Sequence, residues 1–162
     1  MAVLLLAHAQ TRSRTAALPQ SGGAVATWLA VVAGALLMVG FVSQTVLRHV
    51  IQIAPLVAAV GLVVRRSTIG VSAAAPLFAF WLLVMGAIWL FLLGLARIFT
   101  GTFTPIEVTL TIVIGAASVL GLRQAHRVSA TRLRAGNVAT VVVFAVLQLA
   151  AFWLSVQPLA RR

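Results

Sequence analysis

Every charged side chain in the apolar part of this chain stands at or near the end of a long apolar run. The 162 residues contain 12 Arg, no Lys and a single acidic residue, Glu107. An apolar run of about 20 residues forms a helix long enough to cross a hydrocarbon core of about 30 Å. Composition excludes the alternative of a water-soluble globule. The chain is 62% hydrophobic and 8% charged, whereas soluble domains are about 25% charged. There are too few polar side chains to cover a surface in water, so the outer surface of the folded chain faces lipid.

Five such runs are read, at 24–42, 45–64, 73–98, 105–122 and 138–156. The fold class expected is therefore all-α, a polytopic transmembrane helical bundle of five spans. It forms one domain over 24–157, between an N-terminal tail (1–23) and a basic C-terminal tail (158–162). In the tail, Ala7-His8-Ala9 has the form of a cleavage site. The preceding apolar run is short and carries no positive charge, so a cytoplasmic tail is expected rather than a signal peptide. Trp28 and Trp153 lie near span ends, where interfacial aromatics belong. The second run is the weakest. Only 50–64 is continuously apolar, and Arg48, His49 and Gln52 precede or enter it. It spans only if its helix begins near Thr45 and Arg48 snorkels to the headgroups. The alternative is four spans with 45–64 re-entrant. In the third run, Trp81, Met85 and Trp89 recur every four residues, a pattern expected to serve packing rather than a cofactor. Gly86 and Gly94, and the small-xxx-small pair Ala117 and Gly121, are expected at close helix contacts.

Between the third and fourth runs lies Arg97-Ile-Phe-Thr-Gly-Thr-Phe-Thr-Pro-Ile-Glu107. Local chemistry predicts a helix end followed by a helix start. Arg97 is expected in a last turn, where a cation complements the helix dipole. Gly101 is expected to take the left-handed conformation that closes a helix. Thr104 is a good N-cap and Pro105 suits the first helical position. Glu107 then completes a Thr-x-x-Glu capping box.

Orientation follows from the arginines. Five spans with the N-terminus inside place eight of the 12 in the cytoplasm: Arg12, Arg14, Arg65, Arg66, Arg123, Arg127, Arg132 and Arg134. Arg48, Arg97, Arg161 and Arg162 fall outside. The four-span alternative divides them seven to five, so the positive-inside rule prefers five.

That topology brings Arg48, His49, Gln52, Arg97 and Glu107 to the outer face, together with Gln44 and Thr45. Ionisable groups near hydrocarbon tend to pair and to mark ion or substrate paths. One reading is an outer pocket in which Glu107 accepts from Arg97 or Arg48 and His49 titrates. The other is purely structural: Glu107 caps, Arg97 complements a dipole and Arg48 anchors at the headgroups. Gln148, deep in the fifth span, is expected to make an interhelical hydrogen bond. The segment 123–137 is read as a basic loop with His126 solvated.

Composition also narrows the function. There is no Cys, which removes disulfides and thiolate chemistry. Three His and one Glu do not make a metal cage, and neither haem ligation nor any other cofactor is expected. Phosphate-loop, dinucleotide, serine-hydrolase and zinc-protease motifs are lacking. The basic loop has no aromatics to stack on bases, so anionic headgroups are its expected partner and no nucleic acid is expected. Abundant Ala, Arg, Gly and Val without Lys fit a bacterial source, hence the inner membrane. The leading expectation is a non-enzymatic accessory or scaffold subunit, forming homo- or hetero-oligomers through Gly/Ala helix faces. The alternatives are a transporter or channel component that uses the outer cluster, and a membrane enzyme acting on lipid or quinone with His49 or Glu107 as base.

Overall fold

In hydrocarbon no water is available to peptide groups, so each apolar run must pair its own N–H and C=O groups, and the helix does this within one segment. The computed structural model describes residues 20–65, 68–97, 102–129 and 135–158. They form five helices: α1 (Gln20–Val42), α2 (Val46–Val64), α3 (Thr68–Leu92), α4 (Pro105–Ser129) and α5 (Ala135–Ser155). All five are long and apolar enough to cross a membrane. The fold is an all-helical, multi-pass bundle. The segment around 45–64 is one continuous helix of 19 residues with Pro55 buried inside it, as the five-span reading expects.

The helix α3 is the hub, touching each of the other four. Around it, α1 packs on α2 and α4, and α5 packs on α2. Although α4 and α5 are consecutive in sequence, α4 packs on α1 and α3 while α5 packs on α2 and α3. The interior is filled by Leu29 and Val32 of α1, Leu56 of α2, Leu77, Phe78 and Trp81 of α3, and Ile114 of α4. Trp81 and Met85 are buried and Trp89 is half-buried, so the stripe of large residues on α3 packs within the bundle. Gly121 sits under the Phe78 ring, so closely that a Cβ there would stand 2.5 Å and 2.6 Å from the ring's two Cε atoms. The small pair on α4 therefore serves an internal contact with α3.

Several boundaries differ from the sequence reading. The third helix is shifted toward the N-terminus, to Thr68–Leu92, and closes at Gly94, whose φ is 72°. There the Leu95 N–H donates to the Leu90 carbonyl and the Gly94 N–H to that of Phe91, both at 2.9 Å. This is the paired Schellman closure, satisfying carbonyls that the helix end leaves open. Arg97 consequently lies beyond the helix and is exposed, not in its last turn. Gly101 lies outside the described residues. The fourth helix runs on to Ser129, so Arg123, His126 and Arg127 are helical, with the last two in the final turn. The segment expected as a loop is thus helical as far as Ser129, and Arg127 sits where the helix dipole favours positive charge.

Candidate functional site at one end of the bundle

The C-terminal ends of α1, α3 and α5 and the N-terminal ends of α2 and α4 carry the residues singled out as a possible site. They form three separate arrangements.

The first joins α2 to α5. Arg48 Nε donates to the Ser155 backbone carbonyl at 3.1 Å, and Gln52 Nε2 donates to Ser155 Oγ at 2.8 Å. Ser155 Oγ in turn donates to the Phe152 carbonyl at 2.6 Å. Two turns back along α5, Gln148 Nε2 donates to the Gln52 carbonyl at 3.2 Å. Gln52, Gln148 and Ser155 are all buried. Polar groups out of water must be bonded or they destabilise the fold, and here each helix supplies the other's partner. The Ser155 carbonyl belongs to the last turn of α5, which has no helical donor left, so a cation is favourable there.

The second arrangement locks the turn between α1 and α2. His49 Nδ1 lies 3.1 Å from the Thr45 carbonyl and 3.2 Å from Thr45 Oγ1. A carbonyl only accepts, so Nδ1 carries the proton. Ser43 Oγ donates to the Val39 carbonyl at 2.7 Å, which leaves Thr45 Oγ1 to donate to Ser43 Oγ at 2.6 Å. The result is one directed chain from the imidazole to the end of α1. The His49 ring rests against Gly40, where a Cβ would stand 2.9 Å from His49 Cβ and 3.1 Å from the ring. Gln44, between these groups, has φ 56°. The Thr45 N–H donates to the Gly40 carbonyl at 2.8 Å and the Gln44 N–H to that of Phe41 at 3.3 Å. A glutamine thus occupies the left-handed closing position that glycine usually holds.

The third arrangement is the capping box. Glu107 Oε2 accepts from the Thr104 N–H at 2.8 Å and from Thr104 Oγ1 at 2.9 Å. The Glu107 N–H donates back to Thr104 Oγ1 at 3.3 Å. Arg48, Arg97 and Glu107 are all described, and Glu107 forms no ion pair with either arginine. Arg48 is bonded to α5, and Arg97 is exposed on the chain after α3. No group of three or more His, Cys, Asp or Glu able to hold a metal ion occurs among the described residues.

Ser155, the hinge of the first arrangement, was not singled out from the sequence. It lies seven residues after Gln148, hence two turns along the same face of α5, and that spacing was the available signal. Ser43 was missed as well, and Gly94, expected at a close helix contact, instead closes α3, the role the sequence offered equally to Gly101. Elsewhere, a shallow apolar groove runs between α3 and α4, lined by Gly86, Trp89, Thr111, Gly115 and Ala116 among others. Compared with known proteins, the chain matches no family model, no curated sequence and no solved structure.

Proposed function

We propose that the protein is a small, non-enzymatic accessory or scaffold subunit of a membrane complex, associating sideways with another membrane helix, from a second copy or a larger partner. One observation carries this reading: Arg48, His49, Gln52 and Glu107, four of the five polar residues brought to this end of the bundle, are engaged in holding the chain together. Glu107, the sole acid, caps its own helix. Arg48 and Gln52 hold α5, and His49 ties α2 to the turn before it. The α3–α4 groove supports the reading from the other side. A Cβ at Gly86 would meet nothing within 4 Å, so this small residue is left open to a neighbour, and close approach of small residues is what drives helix association in lipid.

The arginine distribution supports an inner-membrane protein with the N-terminus inside. Arg65, Arg123 and Arg127 then face anionic headgroups of the cytoplasmic leaflet. Purification in a mild detergent with measurement of the native protein mass tests the assignment. The expected result is a fixed assembly larger than the 17.0 kDa chain, reduced to single chains when Gly86→Leu and Ala116→Leu fill the groove. A parent protein that runs as a single chain and sustains solute flux in vesicles overturns it in favour of transport.

A further inference from the structure

Arg48 is fixed in the bundle through a single donor. Its Nε–H bonds the Ser155 carbonyl at 3.1 Å, and it forms no other hydrogen bond or ion pair among the described residues. A guanidinium carries its N–H donors in one rigid plane. The Nε bond sets that plane against the end of α5 and leaves both Nη atoms, with all their protons, for another partner. The residue is half-buried and stands in the first turn of α2. A helix start acts as roughly +0.5 of an elementary charge and a helix end as roughly −0.5. The start of α2 therefore opposes the guanidinium about as much as the end of α5 favours it, and about one whole positive charge is left uncompensated. The first turn of α2 holds no acidic residue, and Thr45 makes no side-chain cap bond to it. Glu107, the sole acid of the chain, is held in the capping box of α4.

A charge at the edge of hydrocarbon is costly unless it is paired, so the counterion comes from outside the described chain. The flanking surface narrows its chemistry. Leu47 and Val50 on α2, and Trp153 and Leu154 on α5, are exposed beside Arg48 and Ser155. An apolar flank with a guanidinium at its polar end suits a molecule with acyl chains and a phosphate. The fork of an arginine takes a phosphate through two parallel charge-assisted bonds, which a lysine does not reproduce. With Glu107 engaged on α4, Arg48 has no carboxylate beside it to receive the amine of a choline or ethanolamine headgroup. We infer that Arg48, oriented by the end of α5, binds the phosphate of an anionic phospholipid in the leaflet at this end of the bundle. Arg65 closes the opposite end of α2, so this site is separate from the basic segments that meet the other leaflet. One side chain then serves two contacts, Nε to the neighbouring helix and the Nη pair to the lipid.

The test is solid-state nuclear magnetic resonance on the full chain with isotope-labelled arginine, in bilayers of phosphatidylcholine with and without phosphatidylglycerol. It reads the dephasing of each guanidinium nitrogen by nearby lipid phosphorus. The Arg48 signals are identified by their absence in Arg48→Lys, which keeps the charge but not the fork, and those of Arg97 likewise in Arg97→Lys. The expected result is strong dephasing at the Arg48 Nη atoms when phosphatidylglycerol is present, weaker dephasing in phosphatidylcholine alone, and little at the exposed Arg97. Little dephasing at Arg48 in either bilayer overturns the inference. So does equal dephasing at Arg48 and Arg97, which any arginine among headgroups would show. Equal dephasing in the two bilayers overturns the preference for an anionic lipid. Dephasing that requires inorganic phosphate in the buffer overturns the lipid, because the ligand is then the free ion. Should Arg48→Lys fail to fold, sequential assignment of the parent identifies the Arg48 signals and the parent still decides.

Discussion

At the scale of single residues, the bundle depends on a few backbone positions whose chemistry can be tested one at a time. The capping box is one. Thr104→Ala removes the acceptor for the Glu107 N–H and is expected to lower stability by about 0.5–2 kcal/mol. Glu107→Gln keeps an oxygen that can accept from the Thr104 N–H, and a capping box takes either residue. It should leave the melting temperature in detergent nearly unchanged, whereas loss of a buried ion pair would lower it sharply. A second position is Gln44, held at φ 56°. A side chain in the left-handed region costs about 1–2 kcal/mol, a penalty glycine escapes. Gln44→Gly should therefore raise the melting temperature, and a fall would show that the glutamine side chain has a role of its own. Glycines give a contrast of sign. Gly121→Ala drives a methyl into the Phe78 ring and should destabilise by about 1–3 kcal/mol, as overpacking does. Gly86→Ala meets open space and should be neutral or stabilising, by up to about 1 kcal/mol of helix propensity. Equal effects at the two positions would contradict the packing described here.

Pairs of elements are joined by different means. The α3–α4 contact is steric, a ring set on a glycine, whereas the α2–α5 contact is polar. Interhelical hydrogen bonds in membranes average about 0.6 kcal/mol and reach about 1.7. A double-mutant cycle of Gln52→Leu and Ser155→Ala, read by unfolding in detergent, should give a coupling energy in that range. Zero coupling would mean that Gln52 and Ser155 find other partners, and that Arg48 and Gln148 tie α2 to α5. The polar joint also accounts for Gln52 and Arg48 in a helix that must cross lipid. They are tolerated there because α5 ends at that level with a free carbonyl and a hydroxyl.

For the whole molecule, five crossings set the start of α1 and the end of α5 on opposite sides of the membrane. Reporters fused after Arg66 and after Arg134 should both read cytoplasmic, and one inserted at 100–103 should read external. An external signal after Arg66 would contradict a spanning α2. The arrangement around α3 bears on assembly too. Leu83, on α3, and Val142 and Val146, on α5, point out of the bundle, so even the hub helix reaches the lipid and can meet a neighbour through the groove beside Gly86.

What the sequence determined by itself was whatever is decided locally. The number of helices follows from run length, because a peptide group in hydrocarbon must find its partner within its own segment. The capping box was legible because Thr104 and Glu107 are three residues apart. Helix closure was only half legible. Gly94 and Gly101 both suit a left-handed residue, and nothing local chooses between them. The pairing of helices was left to tertiary structure. Arg48 and Gln52 meet Ser155 across 107 and 103 residues, and Gln148 meets Gln52 across 96. No sequence spacing foretells such partners in a chain like this one. In water an apolar stripe marks the face a helix will bury. Lipid is as apolar as the bundle interior, so the helices other than α2 show little difference between their faces, and packing decides which one turns inward.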